Sequence, residues 1–486
     1  MAAVTINGAG STWSQIAVDQ WRADVARQGL SINYQGTGST SGRVFYYSDQ
    51  VDFAVSEIPF QSQYRDATGT VAVNEVEKAS HRPYTYLPIV AGGTSFMYHL
   101  DVAGRRITDL RLTPDTIAKI FTGSIRAWND TAIQATNPNT SLPALPIRPV
   151  VRADGSGTTA QFTAYMASQT PDVWNSFCAR IGLTNPCPAT SLYPEFEGSV
   201  AQPLSDGVAN FVSASYNNGT ITYVEYGYAK QRGFPVASVR NRAGYFTQPT
   251  ALNVAIALQG AQFNADGTQN LGGVYTFGDP NAYPVSSYSY MIAPTSEAAP
   301  FTRDKGEALG RFILYFVCAG QQKAEQLGYS PLPRNLVANA FDAIRRIPGA
   351  PAPPALEASA CANPTLASDW PPRNVPPPNP SPTTTPATTP GGGQAADPSA
   401  GTAPGTRDAA GAGTDDGALA SGAVVELPGG RIEQVAASAP LELGPVDDGI
   451  PKGVPVLAAG LVLAITIAPP LLSQTFRKRR RHLPPV

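Results

Sequence analysis

Charge is scarce in this chain: 14% of its 486 residues are Asp, Glu, Lys or Arg, and the formal net charge is −2. That balance excludes the basic footprint of a general nucleic-acid binder. Histidine is scarcer still, with His81, His99 and His482 scattered and no CxxC pair anywhere, so no zinc-ligand spacing presents itself. A GxxxxGK[ST] loop is absent, which removes P-loop ATP hydrolysis from the functions of this chain alone. The four cysteines are few for the length. Cys178 and Cys187 flank a turn-rich stretch, while Cys318 lies in an apolar helical run and Cys361 beyond the last helix. Three connectivities, or four reduced thiols, are open; the placement favours Cys178–Cys187 and Cys318–Cys361, the second stapling the domain's end to its core.

Glycine beside hydroxyl side chains is what the chain has instead. Four polar stretches carry the pattern: Gly8-Ala9-Gly10-Ser11-Thr12, Gly36-Thr37-Gly38-Ser39-Thr40-Ser41-Gly42, Asp52-Phe53-Ala54-Val55-Ser56-Glu57 and Arg152-Ala153-Asp154-Gly155-Ser156-Gly157-Thr158-Thr159. Glycine lets backbone N–H groups approach a ligand, and hydroxyls add short donors, a combination suited to an enclosed oxyanion. Singly, the first two stretches read equally as turns or helix caps. The fourth is sharper. It predicts a helix start whose free N–H groups and dipole favour an anion, with Arg152 as a paired donor and Asp154 holding the guanidinium.

The periodicity over about residues 3–345 is α/β. Val4–Asn7, Ser31–Tyr34 and Val51–Val55 read as strands, and the spacing of Ile16, Trp21 and Val25 predicts a helix over Ser14–Arg27. Tyr86–Val90 and Ser95–His99 read as two strands split by Gly92-Gly93. Thr113–Phe121, Thr159–Met166 and Asp304–Cys318 are helical, and Ile221–Val224 and Tyr288–Ile292 are strands. Alternation of this kind implies a mostly parallel sheet with ligands beyond the strands' C-terminal ends, where the first three polar stretches fall.

Taken in order, the stretches resemble the phosphate-binding proteins of phosphate-specific ABC importers. Gly8-Ala9-Gly10-Ser11-Thr12-Trp13, Tyr34-Gln35-Gly36-Thr37-Gly38-Ser39, Val51–Glu57, Arg152–Thr158 and Ile221-Thr222-Tyr223-Val224-Glu225-Tyr226 carry the match, with Ile120–Asp130 as a feature away from the ligand. The resemblance covers roughly residues 4–345. It implies a two-lobed periplasmic-binding-protein type II fold in domain 1–350, with lobe I about 1–92 and 290–350 and lobe II about 93–289. A two-crossing hinge would sit near Gly92-Gly93 and Ser286-Ser287. The implied phosphate ligands are Thr12, Trp13, Ser39, Glu57, Arg152, Ser156, Gly157 and Thr158, supported by Asp154. No cofactor or metal is implied, and the implied partners are inorganic phosphate and the permease and ATPase subunits of the importer. The family usually has aspartate at the position of Glu57, where a carboxylate accepts a hydrogen bond from protonated phosphate and rejects unprotonated sulfate.

Beyond the domain, 351–452 is rich in Pro, Gly, Ala and Thr and reads as a disordered linker without a core. About 100 such residues have a root-mean-square reach of about 55 Å. Val454–Leu472 is apolar and uncharged, within a transmembrane helix expected over 453–473, and Arg477-Lys478-Arg479-Arg480-Arg481 marks 474–486 as a basic cytoplasmic tail. The binding domain would then be extracytoplasmic and held to the cell membrane by a single pass. That topology needs an export signal, yet Met1-Ala2-Ala3 runs into the first strand without an apolar leader. Two other functions fit less of the pattern. One is a surface adhesin or sensor with an altered ligand. The other is a phosphatase using Ser156 or Ser39, neither of which sits in a GxSxG elbow or near a histidine in sequence.

Overall fold

Short glycine- and hydroxyl-containing turns end the first strands of the structure, a computed structural model that describes residues 4–65, 72–183, 186–367, 369–372 and 374–378. Eight strands form one continuous sheet: β1 (Thr5–Gly10), β2 (Ser31–Gly36), β3 (Phe53–Ser56), β4 (Tyr84–His99), β5 (Arg148–Arg152), β6 (Val200–Gln202), β7 (Thr220–Glu225) and β8 (Ser286–Pro294). Their order across the sheet is β6-β5-β7-β4-β8-β3-β1-β2. β1 pairs in parallel with β2 and β3, and β5 in parallel with β6 and β7. β4 and β8 run antiparallel to their neighbours in the middle.

The sheet divides into two lobes along β4. Its first part pairs with β8, and its last part, from Thr94, pairs with β7. Gly92-Gly93 lie where the pairing of β4 passes from β8 to β7, and Ser286-Ser287 of β8 face them in register; β1–β3 with β8 are termed lobe I, and β5–β7 lobe II. Two strands split at Gly92-Gly93 were expected, but β4 is one strand of 16 residues. Both glycines keep their ladder partners. What glycine supplies there is room: a Cβ on Gly92 would come within 2.7 Å of the Trp13 ring, and one on Gly93 within 2.5 Å of Pro249.

Helices cover the lobes by burying one stripe each. α1 (Gln15–Ala26) buries Val18, Trp21 and Val25. Trp21 stacks on Phe316 of the long C-terminal helix Arg303–Val317 at 5.2 Å between centroids. In lobe II, Phe96, Phe121, Phe162, Tyr193 and Tyr223 form a continuous aromatic cluster. Each such ring contributes about 1.5–3 kcal/mol by leaving water.

Both expected disulfides are present, Cys178–Cys187 and Cys318–Cys361. Within the stretch expected to lack a core from residue 351, Cys361, Asn363, Thr365 and Leu366 are nevertheless buried against the domain, while most of the other described residues to Pro378 are exposed or half-buried. Cys361 is tied to Cys318. Asn363 Nδ2 donates to the carbonyls of Val317 and Leu332, and Asn281 Nδ2, in lobe II, donates to those of Val375 and Pro376. These bonds order a proline-rich segment that has little side chain of its own to bury. No described helix is long and apolar enough to cross a membrane; the apolar run Val454–Leu472 and the basic tail lie outside the described residues. Replacing Cys318 and Cys361 by serine together opens a 43-residue covalent loop. Thermal or urea unfolding should register a loss of about 2–4 kcal/mol, and an unchanged midpoint would deny the staple any role in stability.

Candidate functional site

Four helices start where the two lobes meet. Thr12, Trp13 and Ser14 lead from β1 into α1, and Ser39 opens α2 (Ser39–Tyr47). Ser156 caps α3 (Gly157–Gln169), and Ser205 is the second residue of α4 (Leu204–Ser213). Each helix start presents N–H groups without intrahelical acceptors and the positive end of a dipole. Glu57 follows β3, and Arg152 ends β5. The α/β arrangement therefore brings strand ends and helix starts to one cleft.

On the lobe I side the centre is Glu57, 1% exposed. Ser11 Oγ donates to Glu57 Oε1, Ser39 Oγ donates to Oε2 at 2.6 Å, and Ser289 Oγ of β8 lies 2.9 Å from Oε1. On the lobe II side the centre is Arg152, 3% exposed. Its Nε and Nη2 donate to the two carboxylate oxygens of Asp154 at 2.8 and 2.5 Å, a forked pair with fixed geometry. Burial works against the guanidinium's charge, but Asp154 outweighs it and holds the Arg152 pKa above its usual value. Asp154 is itself braced by the N–H of Leu204 at 2.7 Å. Leu204 has φ 62°, a strained conformation for a bulky residue, of the kind that clusters at binding sites.

Across the cleft, Arg152 Nη2 and the Ser205 N–H both reach Thr12 Oγ1, at 3.3 and 3.2 Å, and the Thr12 and Ser205 hydroxyls lie 2.8 Å apart. Thr40 N–H donates to the Gly155 carbonyl, and Gln161 Nε2 to that of Glu57. Gly157 has no side chain for a steric reason: a Cβ there would stand 2.1 Å from Glu57 Oε2 and 2.7 Å from Ser39 Oγ. The hydroxyls of Thr40 and Thr158 are buried without a hydrogen-bond partner among the described residues.

The residues expected at the site thus occur together, with differences in how they act. The Trp13 ring packs against Gly92 at the strand crossing, its Nε1 donating to Thr94, while its backbone N–H donates to Ser11 Oγ at 3.0 Å. Ser156 Oγ accepts the N–H of Thr159 and so caps α3, and its own N–H is bound to the Ser191 carbonyl. Two participants were not foreseen. Ser205 lies in Gln202-Pro203-Leu204-Ser205-Asp206, which lacks the glycine pattern, and the trace it leaves in sequence is a serine at a helix start after proline. Ser289 sits mid-strand, where nothing local marks it. Ser11 belongs to the first polar stretch but serves Glu57 instead of a ligand directly. Among the described residues no His, Cys, Asp and Glu cluster could hold a metal ion.

The profile of the PBP superfamily domain matches residues 2–319. The phosphate-binding protein PstS of Xylella fastidiosa (strain Temecula1) is 32% identical over 337 residues, covering 69% of this chain and 83% of that protein. PstS2 of Mycobacterium bovis (strain BCG) is 27% identical over 353 residues, covering 70% and 87%. Among solved structures, the ancestral soluble variant of the human phosphate binding protein superposes with TM-score 0.53 at 18% identity, covering 72% of this chain and all of that one. The phosphate-bound periplasmic protein PfluDING superposes with TM-score 0.51 at 18% identity, covering 70% and 93%; at such identities the likeness is one of fold. The chain belongs to the PBP superfamily, within the family of PstS substrate-binding proteins, whose members are binding proteins of transport systems and not enzymes.

Proposed function

We propose that this chain is an extracytoplasmic receptor for inorganic phosphate that delivers its ligand to the permease and ATPase subunits of an ABC importer. One observation carries the reading. A forked guanidinium, a hydroxyl-bound carboxylate and four helix starts from both lobes meet at a single buried place. The names of the relatives at 32% and 27% identity support it.

In this reading the oxyanion takes donors from Thr12, Trp13, Ser39, Arg152, Ser156, Gly157 and Thr158, and Asp154 fixes Arg152. Glu57 supplies the acceptor. Its Oε1 already serves two hydroxyls and its Oε2 one, which leaves an acceptor direction on Oε2 beside Gly157. A protonated phosphate oxygen can donate there. Sulfate at neutral pH has no proton to give and meets an unpaired negative charge instead. Closure follows from differential contact, since ligand donors come from both lobes. The apolar, uncharged run Val454–Leu472 and the following Arg/Lys cluster support a tether that keeps the domain near its permease.

Three measurements test this. Phosphate and sulfate titrated calorimetrically into a fragment spanning 1–378 should show phosphate binding alone, and Arg152→Ala should weaken it at least about 100-fold, roughly 3 kcal/mol for a buried charged contact. Retained affinity in a folded Arg152→Ala protein removes the site. Glu57→Gln should narrow the phosphate-to-sulfate ratio by about tenfold or more; an unaltered ratio takes selectivity away from Glu57. Finally, the full chain should sediment with membranes and a chain ending at residue 452 should not, and equal behaviour of the two rules out the tether.

A further inference from the structure

Three successive carbonyls of the loop between β1 and α1 each accept a hydrogen bond from a different tyrosine. Tyr34 Oη donates to Ser11 O at 2.7 Å, Tyr228 Oη to Thr12 O at 2.5 Å, and Tyr329 Oη to Trp13 O at 2.6 Å. The three rings are buried, with at most 4% exposure, and come from distant parts of the chain. We propose that Tyr34, Tyr228 and Tyr329 are positioning residues that aim the amide N–H groups of Thr12, Trp13 and Ser14 at the oxyanion, and that Tyr228 does so only when the lobes are closed.

The argument starts from the peptide plane. In a trans peptide the C=O of one residue and the N–H of the next point in opposite directions. Fixing the carbonyls of Ser11, Thr12 and Trp13 on one side therefore fixes the three following N–H groups on the other. Two of those amides reveal where that side is: Trp13 N–H and Ser14 N–H both reach Ser11 Oγ, at 3.0 and 3.4 Å, and Ser11 Oγ in turn donates to Glu57. The amides thus face the lobe I centre of the site. Burial, with nearby acidic groups or other tyrosines adding to it, raises the pKa of all three phenols well above the usual value, so each remains a donor through the physiological range. Loops that hold an anion by N–H groups lose affinity when those dipoles can turn away, and locking them beforehand removes that cost.

Tyr34 lies in β2 of lobe I, and Tyr329 follows the lobe I helix Ala324–Leu327 and packs edge-on against Trp13 at 5.7 Å. Tyr228 differs. It belongs to the helix Tyr226–Gln231 directly after β7 in lobe II, so its bond to Thr12 crosses the cleft and is broken by opening. Sequence hides the role of all three, because nothing next to them (Asn33 and Gln35, Gly227 and Ala229, Gly328 and Ser330) marks a tyrosine that reaches a distant carbonyl.

The inference rests on the phosphate reading of the site, and the test separates the two. Tyr34→Phe, Tyr228→Phe and Tyr329→Phe keep the rings and remove only the hydroxyls. With phosphate as probe, each should raise Kd about tenfold, the effect of leaving one buried carbonyl without its donor. Stopped-flow should assign the Tyr228→Phe loss to faster dissociation with the association rate unchanged. In ligand-free protein, the ¹⁵N–¹H resonances of Thr12 and Ser14 should move with Tyr34→Phe and Tyr329→Phe respectively, while that of Trp13 should move with Tyr228→Phe only once phosphate has closed the lobes. Phenylalanine variants that only lower Tm, with Kd and those resonances unchanged, overturn the proposal. If the wild-type chain fails to bind phosphate, the proposed function falls, and the amide resonances alone then decide whether the tyrosines hold the loop.

Discussion

Glu57 is a carboxylate buried among hydroxyls, with no cation within ion-pair distance among the described residues. Taking such a group out of water costs several kcal/mol unless its lone pairs are met. Ser11, Ser39 and Ser289 meet them, and they stand on the β1 loop, the start of α2 and strand β8. Those three pieces converge only if β8, β3 and β1 are consecutive neighbours, which is the order in the sheet. The requirement to solvate one buried charge with hydroxyls thus constrains the topology of lobe I. Lobe II carries the complementary solution: Arg152 is cancelled by Asp154, so that half presents a donor fork with little net charge. In the proposed reading, an oxyanion between them would be met by dipoles and hydroxyls, with Glu57 as the one group that asks for a proton in return.

Strands β4 and β8 show how a strand's alternation decides which residues face the cleft. Successive residues of β8 face opposite sides of the sheet. Ser289 faces the cleft and reaches Glu57 and Ser14, while its neighbour Tyr288 faces the other way, into a cavity of about 290 Å³ that Ala91, Leu258, Ser330 and Trp370 also line. On β4 the cleft side at the crossing is Gly92, against the Trp13 ring. At the crossing the cleft-side face thus carries Ser287, Ser289 and Gly92, with Val90 beside Ser289 in register, and the other face carries Tyr288 and Ala91. Trp370 on that rear face comes from the segment anchored to lobe I through Cys361 and to lobe II through the Asn281 bonds to Val375 and Pro376. A third length of chain thus runs behind strands β4 and β8.

What was legible in the sequence was local. Gly8–Thr12, Gly36–Gly42 and Arg152–Thr159 announce themselves because glycine and hydroxyls concentrate over a few residues at strand ends, and the α/β alternation follows from periodicity. The paired registers at Gly92 and Ser287 are consistent with the crossings expected there, but an unbroken β4 was not legible, since two adjacent glycines look like a break until their ladder partners are known. Ser205, Ser289 and the three tyrosines were illegible for a common reason. Each contributes one atom to a site assembled from segments far apart in sequence, and a lone serine or a buried tyrosine has the same local appearance whether it packs or positions. The docking of Cys361–Leu366 after residue 350 is not legible because proline-rich composition predicts little burial. Its order comes from one disulfide and the side chains of Asn363 and Asn281, which composition does not weigh.

A carrier must release what it binds, and the contacts between the lobes fit that need. Thr12–Ser205, Arg152–Thr12, Tyr228–Thr12, Thr40–Gly155 and Gln161–Glu57 are all hydrogen bonds. At the cleft, the apolar pair Ile58–Ala160 is a two-residue cluster separate from the main core, which itself runs through both lobes. Water replaces a neutral hydrogen bond at a net cost of about 0.5–1.5 kcal/mol, whereas exposing a broad apolar face costs about 25 cal/mol for each Å². Polar contacts of this number let the cleft open for a few kcal/mol, the range over which a ligand's own contacts shift a two-state balance. An apolar seam as broad as that core across the cleft face itself would oppose opening far more strongly than these hydrogen bonds do.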